Sequence, residues 1–96
     1  MRYVLGDDDM AAGALMALRH AGKAVPGDIS VIGFDDNFHA RHMWPPLTTI
    51  RQPVATLGQA AAEQMIKLLS EPTSEPLRTV IGTSLVKRES VGWVEA

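Results

Sequence analysis

This 96-residue chain contains the segment Val25-Pro-Gly-Asp-Ile-Ser-Val-Ile-Gly-Phe-Asp-Asp36, in which an apolar run ends in two carboxylates. The apolar run from Ile29 to Phe34 predicts a strand covered on both faces, because a strand with one solvent face alternates apolar and polar residues. Such strands belong to parallel sheets, and open α/β sheets bind ligands at the carboxyl ends of their strands. Asp35 therefore stands where a ligand would bind, whereas Asp36 is more simply explained as a turn residue.

Short strands are predicted on both sides of this segment. Arg2 to Leu5 is a strand candidate near the start of the chain, and Thr79 to Val86 is a candidate for the last strand. Between them, the β-branched residues of Leu47 to Ile50 favour an extended segment after the helix-breaking pair Pro45-Pro46. The chain thus offers up to four strands.

Two helices separate these strands. A helical face with spacing i, i+4, i+7, i+8 and i+11 runs from Met10 to Ala21, with the Asp7–Asp9 cluster as its cap and Gly22 as its stop. The second helix begins at Val54 and has a continuous apolar face. This order predicts βαβ crossovers, so the predicted fold class is α/β with a parallel sheet flanked by helices. Two helices and a few strands suggest the carboxy-terminal portion of a longer protein.

Composition excludes several classes of function. Hydrophobic residues make up 46% and charged residues 21%, as in a globular domain, and no apolar run approaches the roughly 18 residues needed to span a bilayer. The net charge is −2 and the nine basic residues are scattered, which gives no electrostatic footprint for DNA. The amino terminus lacks the apolar core of a secretory signal, and there is no cysteine. We expect a cytoplasmic protein without a membrane span.

The carboxylates alone allow two interpretations. Asp7, Asp8 and Asp9 are simply explained as turn and cap residues, because Asp is favoured there for backbone reasons. Alternatively, Asp7, Asp8 and Asp35 gather at strand ends to hold Mg²⁺ in a small enzyme or phosphoacceptor. Against this, the chain has no phosphate-binding loop and no nucleophile elbow, and its three histidines lack metal-ligand spacing. We predict no catalytic residue, no metal site and no cofactor.

Four motifs together resemble the lactose-repressor-type (LacI/GalR) family of bacterial transcription regulators. They follow in family order and spacing along nearly the whole chain, and they are Asp8-x-Met10-Ala11-x-Gly13, Val25-Pro26-x-Asp28-Ile29-Ser30-Val31-Ile32-Gly33-Phe34-Asp35-Asp36, Pro45-Pro46-Leu47-Thr48-Thr49 and Leu85-Val86-x-Arg88-x-Ser90. The resemblance implies the end of an effector-binding core with the fold of periplasmic sugar-binding proteins, in which two α/β subdomains close on a small ligand. The helix-turn-helix that binds operator DNA in this family is absent from the chain.

The resemblance also implies ligand-binding residues. Asp35 would accept hydrogen bonds from sugar hydroxyls, a task that suits a carboxylate. Asp7 falls where many members carry a ligand-contacting asparagine, and an anion there cannot donate a hydrogen bond. Gln52 matches a position at the edge of the pocket in some members.

Subdomains and a homodimer are further implications of the resemblance. Residues 1–50 and 79–90 would belong to the second subdomain, and the helix and loop of residues 51–78 to the first. A homodimer interface would be formed by the first helix and the segment from Ala40 to Pro46, through Met10, Ala11, Ala14, Trp44 and Pro45. An alternative is a periplasmic-type sugar receptor of the same fold, although the Leu85–Ser90 motif resembles the repressors more.

Overall fold

A computed structural model of the chain describes residues 3–72, 75 and 78–92. Its elements occur in the predicted order. They are β1 (Tyr3–Leu5), α1 (Asp8–His20), β2 (Ser30–Asp35), a 3₁₀ turn (Ala40–His42), β3 (Thr48–Arg51), α2 (Val54–Ser70) and β4 (Ser84–Val86). Arg2, the predicted start of the first strand, lies outside the described residues.

The four strands form one sheet in the order β1-β2-β3-β4. The pairs β1–β2 and β2–β3 are parallel, with Leu5 opposite Ile32 and Asp35 opposite Arg51, as the α/β fold class requires. The pair β3–β4 is antiparallel, so the sheet is mixed at this edge. The last strand is also shorter than the predicted Thr79–Val86, because only its end pairs with β3.

Two compact units divide the chain. One comprises Met1–Gln52 together with Ser84–Ala96, and the other comprises Pro53–Thr83. The first unit has a small core, which consists of Ala11, Leu15, Val31, Ala40 and Leu47. Burial of a Val or Leu side chain stabilises a fold by roughly 1.5–3 kcal/mol, so the core rests mainly on three side chains. In the second unit, α2 has no buried residue.

Helix α1 buries a different face from the one expected. Its buried residues are Asp8, Ala11 and Leu15, whereas Met10 of the predicted apolar stripe is 66% exposed. Of the predicted apolar face, Leu18 packs against the core, while Met10 faces solvent. The predicted ends of the helix are confirmed: Asp7 is the N-cap and Gly22 has a positive φ of 73°.

Candidate functional site

Asp35 stands at the carboxyl end of β2 with its side chain exposed. Its Oδ1 accepts a hydrogen bond of 2.5 Å from Nε2 of Gln52, which follows β3 directly. The strand register explains the contact, since Asp35 lies opposite Arg51. The structure thus brings together two of the three residues predicted to bind ligand.

The backbone at this position is strained. Asp35 has a φ of 116° and Asp36 a φ of 57°, and residues other than glycine seldom adopt such positive φ values. Strain of this kind costs about 1–3 kcal/mol per residue and concentrates at functional sites. The backbone of Asn37, directly after these two residues, is held in place because its N–H donates a hydrogen bond of 2.6 Å to Asp8 Oδ2.

Asp8 is the anchor of this turn. Its side chain is fully buried, and Oδ1 accepts a 2.6 Å hydrogen bond from the hydroxyl of Thr49, which is also buried. Both carboxylate oxygens are therefore engaged within the chain. Gly33 makes room for this carboxylate, because a Cβ there would overlap Asp8 Oδ1 and lie 2.6 Å from Leu47 Cδ2.

Asp36 joins two strands by ion pairs. Its side chain is 5% exposed, and its oxygens lie 2.8 Å from Arg51 Nε and 2.8 Å from an Arg88 guanidinium nitrogen. Burial alone would raise the pKa of Asp36, but hydrogen bonds from Arg51 and Arg88, together with their charges, hold this pKa below its ordinary value of 3.8. Asp36 is therefore a structural anion.

Asp7 has the cap role expected from sequence, since its Oδ1 accepts a 2.8 Å hydrogen bond from Met10 N–H. Its side chain is exposed, and its position after β1 places it at the same sheet edge as Asp35 because the two strands are parallel. Asp9 contacts the turn that follows β2, because its Oδ1 accepts a hydrogen bond of 3.2 Å from Asn37 Nδ2. Three exposed carboxylates thus belong to this edge.

The carboxy-terminal motif fastens the other end of the sheet. The Ser90 hydroxyl donates to Val31 O at 2.5 Å and accepts from Thr48 N–H at 2.8 Å. Arg88 also donates to Leu47 O at 2.9 Å. Arg88 and Ser90 thus stabilise the packing of β2 and β3.

The residues predicted for a dimer interface fall into two groups. Met10 and Trp44 are exposed, the latter to 76%, and Ala14 and Pro45 are half-buried. Ala11 is only 1% exposed and belongs to the core. A partner subunit cannot reach its side chain, so the assignment of Ala11 to the interface was wrong.

A cavity of about 480 Å³ lies beside these interface residues and not at the Asp35 edge. Its walls include Arg19, Val25, Trp44, Pro45 and Glu89. Asp7 and Asp35, by contrast, are exposed on the first unit.

The structure argues against the alternative Mg²⁺ site formed by Asp7, Asp8 and Asp35. Asp8 would have been one of its ligands, but both its oxygens are occupied by Thr49 and Asn37. Within residues 3–72, 75 and 78–92, no group of three or more histidine or acidic side chains is placed to hold a metal ion. No helix in the same ranges is long and apolar enough to cross a membrane.

Comparison with known families matches residues 3–91 to the model described as a periplasmic binding protein-like domain. Among curated proteins, the HTH-type transcriptional regulator RegA of Clostridium saccharobutylicum is 41% identical over 91% of this chain. The ribose operon repressor of Escherichia coli is 44% identical over 88% of it. The chain spans about a quarter of the length of these relatives, 26% in each case.

Solved structures agree with this match. The CelR–cellobiose complex superposes with a TM-score of 0.88 at 37% identity, over 94% of this chain and 28% of that one. A LacI family regulator from Enterococcus faecalis with bound ribose gives 0.90 at 32% identity, over 98% of this chain and 36% of that one. A dimeric Lac repressor gives 0.82 at 37%, over 93% and 33%. The chain belongs to the periplasmic binding protein-like domain family, in the group of LacI/GalR-type transcription regulators.

Sequence reasoning missed the buried carboxylates. Asp8 was interpreted as a cap and Asp36 as a turn residue, whereas both have hydrogen-bonding partners far away in the chain. One signal was available: Gly33 interrupts an otherwise bulky strand, and glycine in a strand often marks a close approach by another group.

Proposed function

We propose that this chain is the effector-binding and dimerisation segment of a bacterial transcription regulator, with a sugar or sugar derivative as effector and without catalysis of its own. The observation that carries the proposal is the exposed, backbone-strained Asp35 at the carboxyl end of a parallel strand. Solved relatives contain ribose or cellobiose. Asp35, Asp7 and Gln52 would form one wall of the ligand site.

The chain would contribute residues to two subdomains. We assign residues 1–50 and 79–90 to one subdomain and residues 51–78 to the other. The compact units support this division in outline, although Gln52 falls in the first unit, with Asp35, and residues 79–83 fall in the second. The whole protein would act in the cytoplasm and contact operator DNA through a separate amino-terminal domain. A sugar would shift the equilibrium between DNA-bound and free states only through unequal affinity for the two.

Removal of the Asp35 charge tests the ligand site. We expect Asp35→Asn in the intact native protein to weaken sugar binding about tenfold or more, because the loss of a charge-assisted hydrogen bond costs about 1.5–3 kcal/mol. Calorimetric titration with ribose, cellobiose, sucrose and galactose measures this loss. Glu89→Gln removes the same charge near the amino end of β3, where the Glu89 N–H bonds Pro46 O, and is the matched control. Equal binding by Asp35→Asn and wild type to the best sugar would reject this site.

Trp44 tests the proposed homodimer. Its side chain is 76% exposed on the first unit, next to the cavity wall formed by α1. We expect Trp44→Ala to shift the dimer towards monomer, because large aromatic residues dominate the binding energy of interfaces. Sedimentation of the intact protein over a concentration series measures the shift. Phe38→Ala, at an equally exposed aromatic residue outside the proposed interface, should leave the dimer intact. An unchanged dimer in Trp44→Ala would contradict the interface.

A further inference from the structure

The wall of the site formed by the first unit is rich in acceptors. Asp7, Asp9 and Asp35 are all exposed, and each uses its Oδ1 in a hydrogen bond within the chain. Their second oxygens remain to receive donors from a ligand.

The neighbouring donors already point at carboxylates. Gln52 Nε2 donates to Asp35 and Asn37 Nδ2 donates to Asp9. The backbone N–H of Asn37 donates to Asp8. One N–H of each amide is thus engaged with a carboxylate, while the second oxygens of Asp7, Asp9 and Asp35 are open, so a ligand that brings several donors, as sugar hydroxyls do, suits this wall.

The charge balance points the same way. Asp36 is shared by Arg51 and Arg88, so these three groups together carry one positive charge against three exposed carboxylates. The amino end of α1 would by itself attract an anion, but its cap and first turn are the acidic residues Asp7, Asp8 and Asp9. Arg51 alone in this group is a half-exposed cation, at 53%.

We infer that this wall selects an uncharged polyhydroxy ligand and rejects a sugar that carries a carboxylate or phosphate, with Asp7 as the specificity-determining residue. The inference rests on the proposed function and narrows its ligand class. Asp7 stands out because asparagine would also cap the helix, so a negative charge is not needed for the fold at this position. Its charge acts directly on the ligand through an exposed oxygen, where repulsion between like charges lowers affinity.

Matched pairs of sugars test the inference on the intact native protein. The probes are ribose against ribose 5-phosphate and galactose against galacturonate, each titrated into wild type, Asp7→Asn and the control Glu89→Gln. We expect the neutral member of the binding pair to bind at least about tenfold more tightly in wild type and in the control. In Asp7→Asn that ratio should fall about threefold or more, with retained thermal stability showing that the cap survives.

Two results would overturn the inference. If the anionic sugar binds as tightly as the neutral one and Arg51→Gln removes that binding, Arg51 is an anion receptor and the selectivity is wrong while the sugar site stands. If no probe of either charge binds, the proposed function fails and the inference fails with it.

Discussion

Two pairs of adjacent aspartates have opposite environments. Asp8 and Asp36 are buried and bonded on both carboxylate oxygens, whereas their neighbours Asp7 and Asp35 are exposed. Asp7 and Asp8 are the cap and the first residue of α1, whereas Asp35 ends β2 and Asp36 follows it, both with positive φ. At each strand end, one carboxylate holds the turn in place and the other faces the proposed ligand.

Asp8→Ala should have the largest effect on stability. The change leaves the buried Thr49 hydroxyl and the Asn37 N–H without their acceptor, and each unsatisfied group costs about 1–3 kcal/mol. We expect a loss of about 2–4 kcal/mol in the free energy of unfolding, measured by urea denaturation of the intact protein.

Its neighbour supplies the contrast. Asp7→Ala removes only the cap bond to Met10 N–H and should cost about 0.5–2 kcal/mol. If Asp7→Ala destabilises the protein as much as Asp8→Ala does, the distinction between a structural and an exposed carboxylate fails for this pair.

Asp36 should give a smaller, pH-dependent effect. The pKa of Asp36 is lowered in the folded state. Its contribution to the free energy of unfolding is therefore present at pH values above the ordinary pKa of 3.8 and is lost as the pH falls through the folded-state pKa. Unfolding free energies from pH 7 down to pH 2.5 should therefore drop below pH 3.8, and less steeply in Asp36→Asn than in wild type.

The two arginines divide this effect unequally. Arg51 is 53% exposed and Arg88 only 14%, so Arg51→Gln should cost at most about 1 kcal/mol at pH 7 and Arg88→Gln more. Identical acid profiles for wild type and Asp36→Asn would show that the ion pairs do not stabilise the fold.

The sequence predicted the elements that periodicity encodes. The strand within residues 25–36, the cap at Asp7 and the parallel order β1-β2-β3 are confirmed. The antiparallel β4 was not predicted, because strand direction depends on the path of the chain through residues 71–83 and not on local pattern. The roles of Asp8 and Asp36 also depend on partners 41 and 52 residues away, Thr49 and Arg88, which no local window contains.

Substitution of Asp35 should have the smallest effect on stability, and this effect should depend on whether the new residue tolerates a positive φ. Its φ of 116° suits glycine, so Asp35→Gly relieves strain, while Asp35→Ala keeps the strain and loses the hydrogen bond from Gln52. We expect the glycine variant to be more stable than the alanine variant by about 1 kcal/mol and close to wild type, since glycine also gains entropy in the unfolded chain. Both should lose sugar binding, because neither has a carboxylate. Thermal unfolding and titration of the same two proteins separate strain from ligand contact. If the alanine variant is as stable as the glycine variant, the backbone at Asp35 is not strained, and strain cannot be used to mark Asp35 as a functional residue.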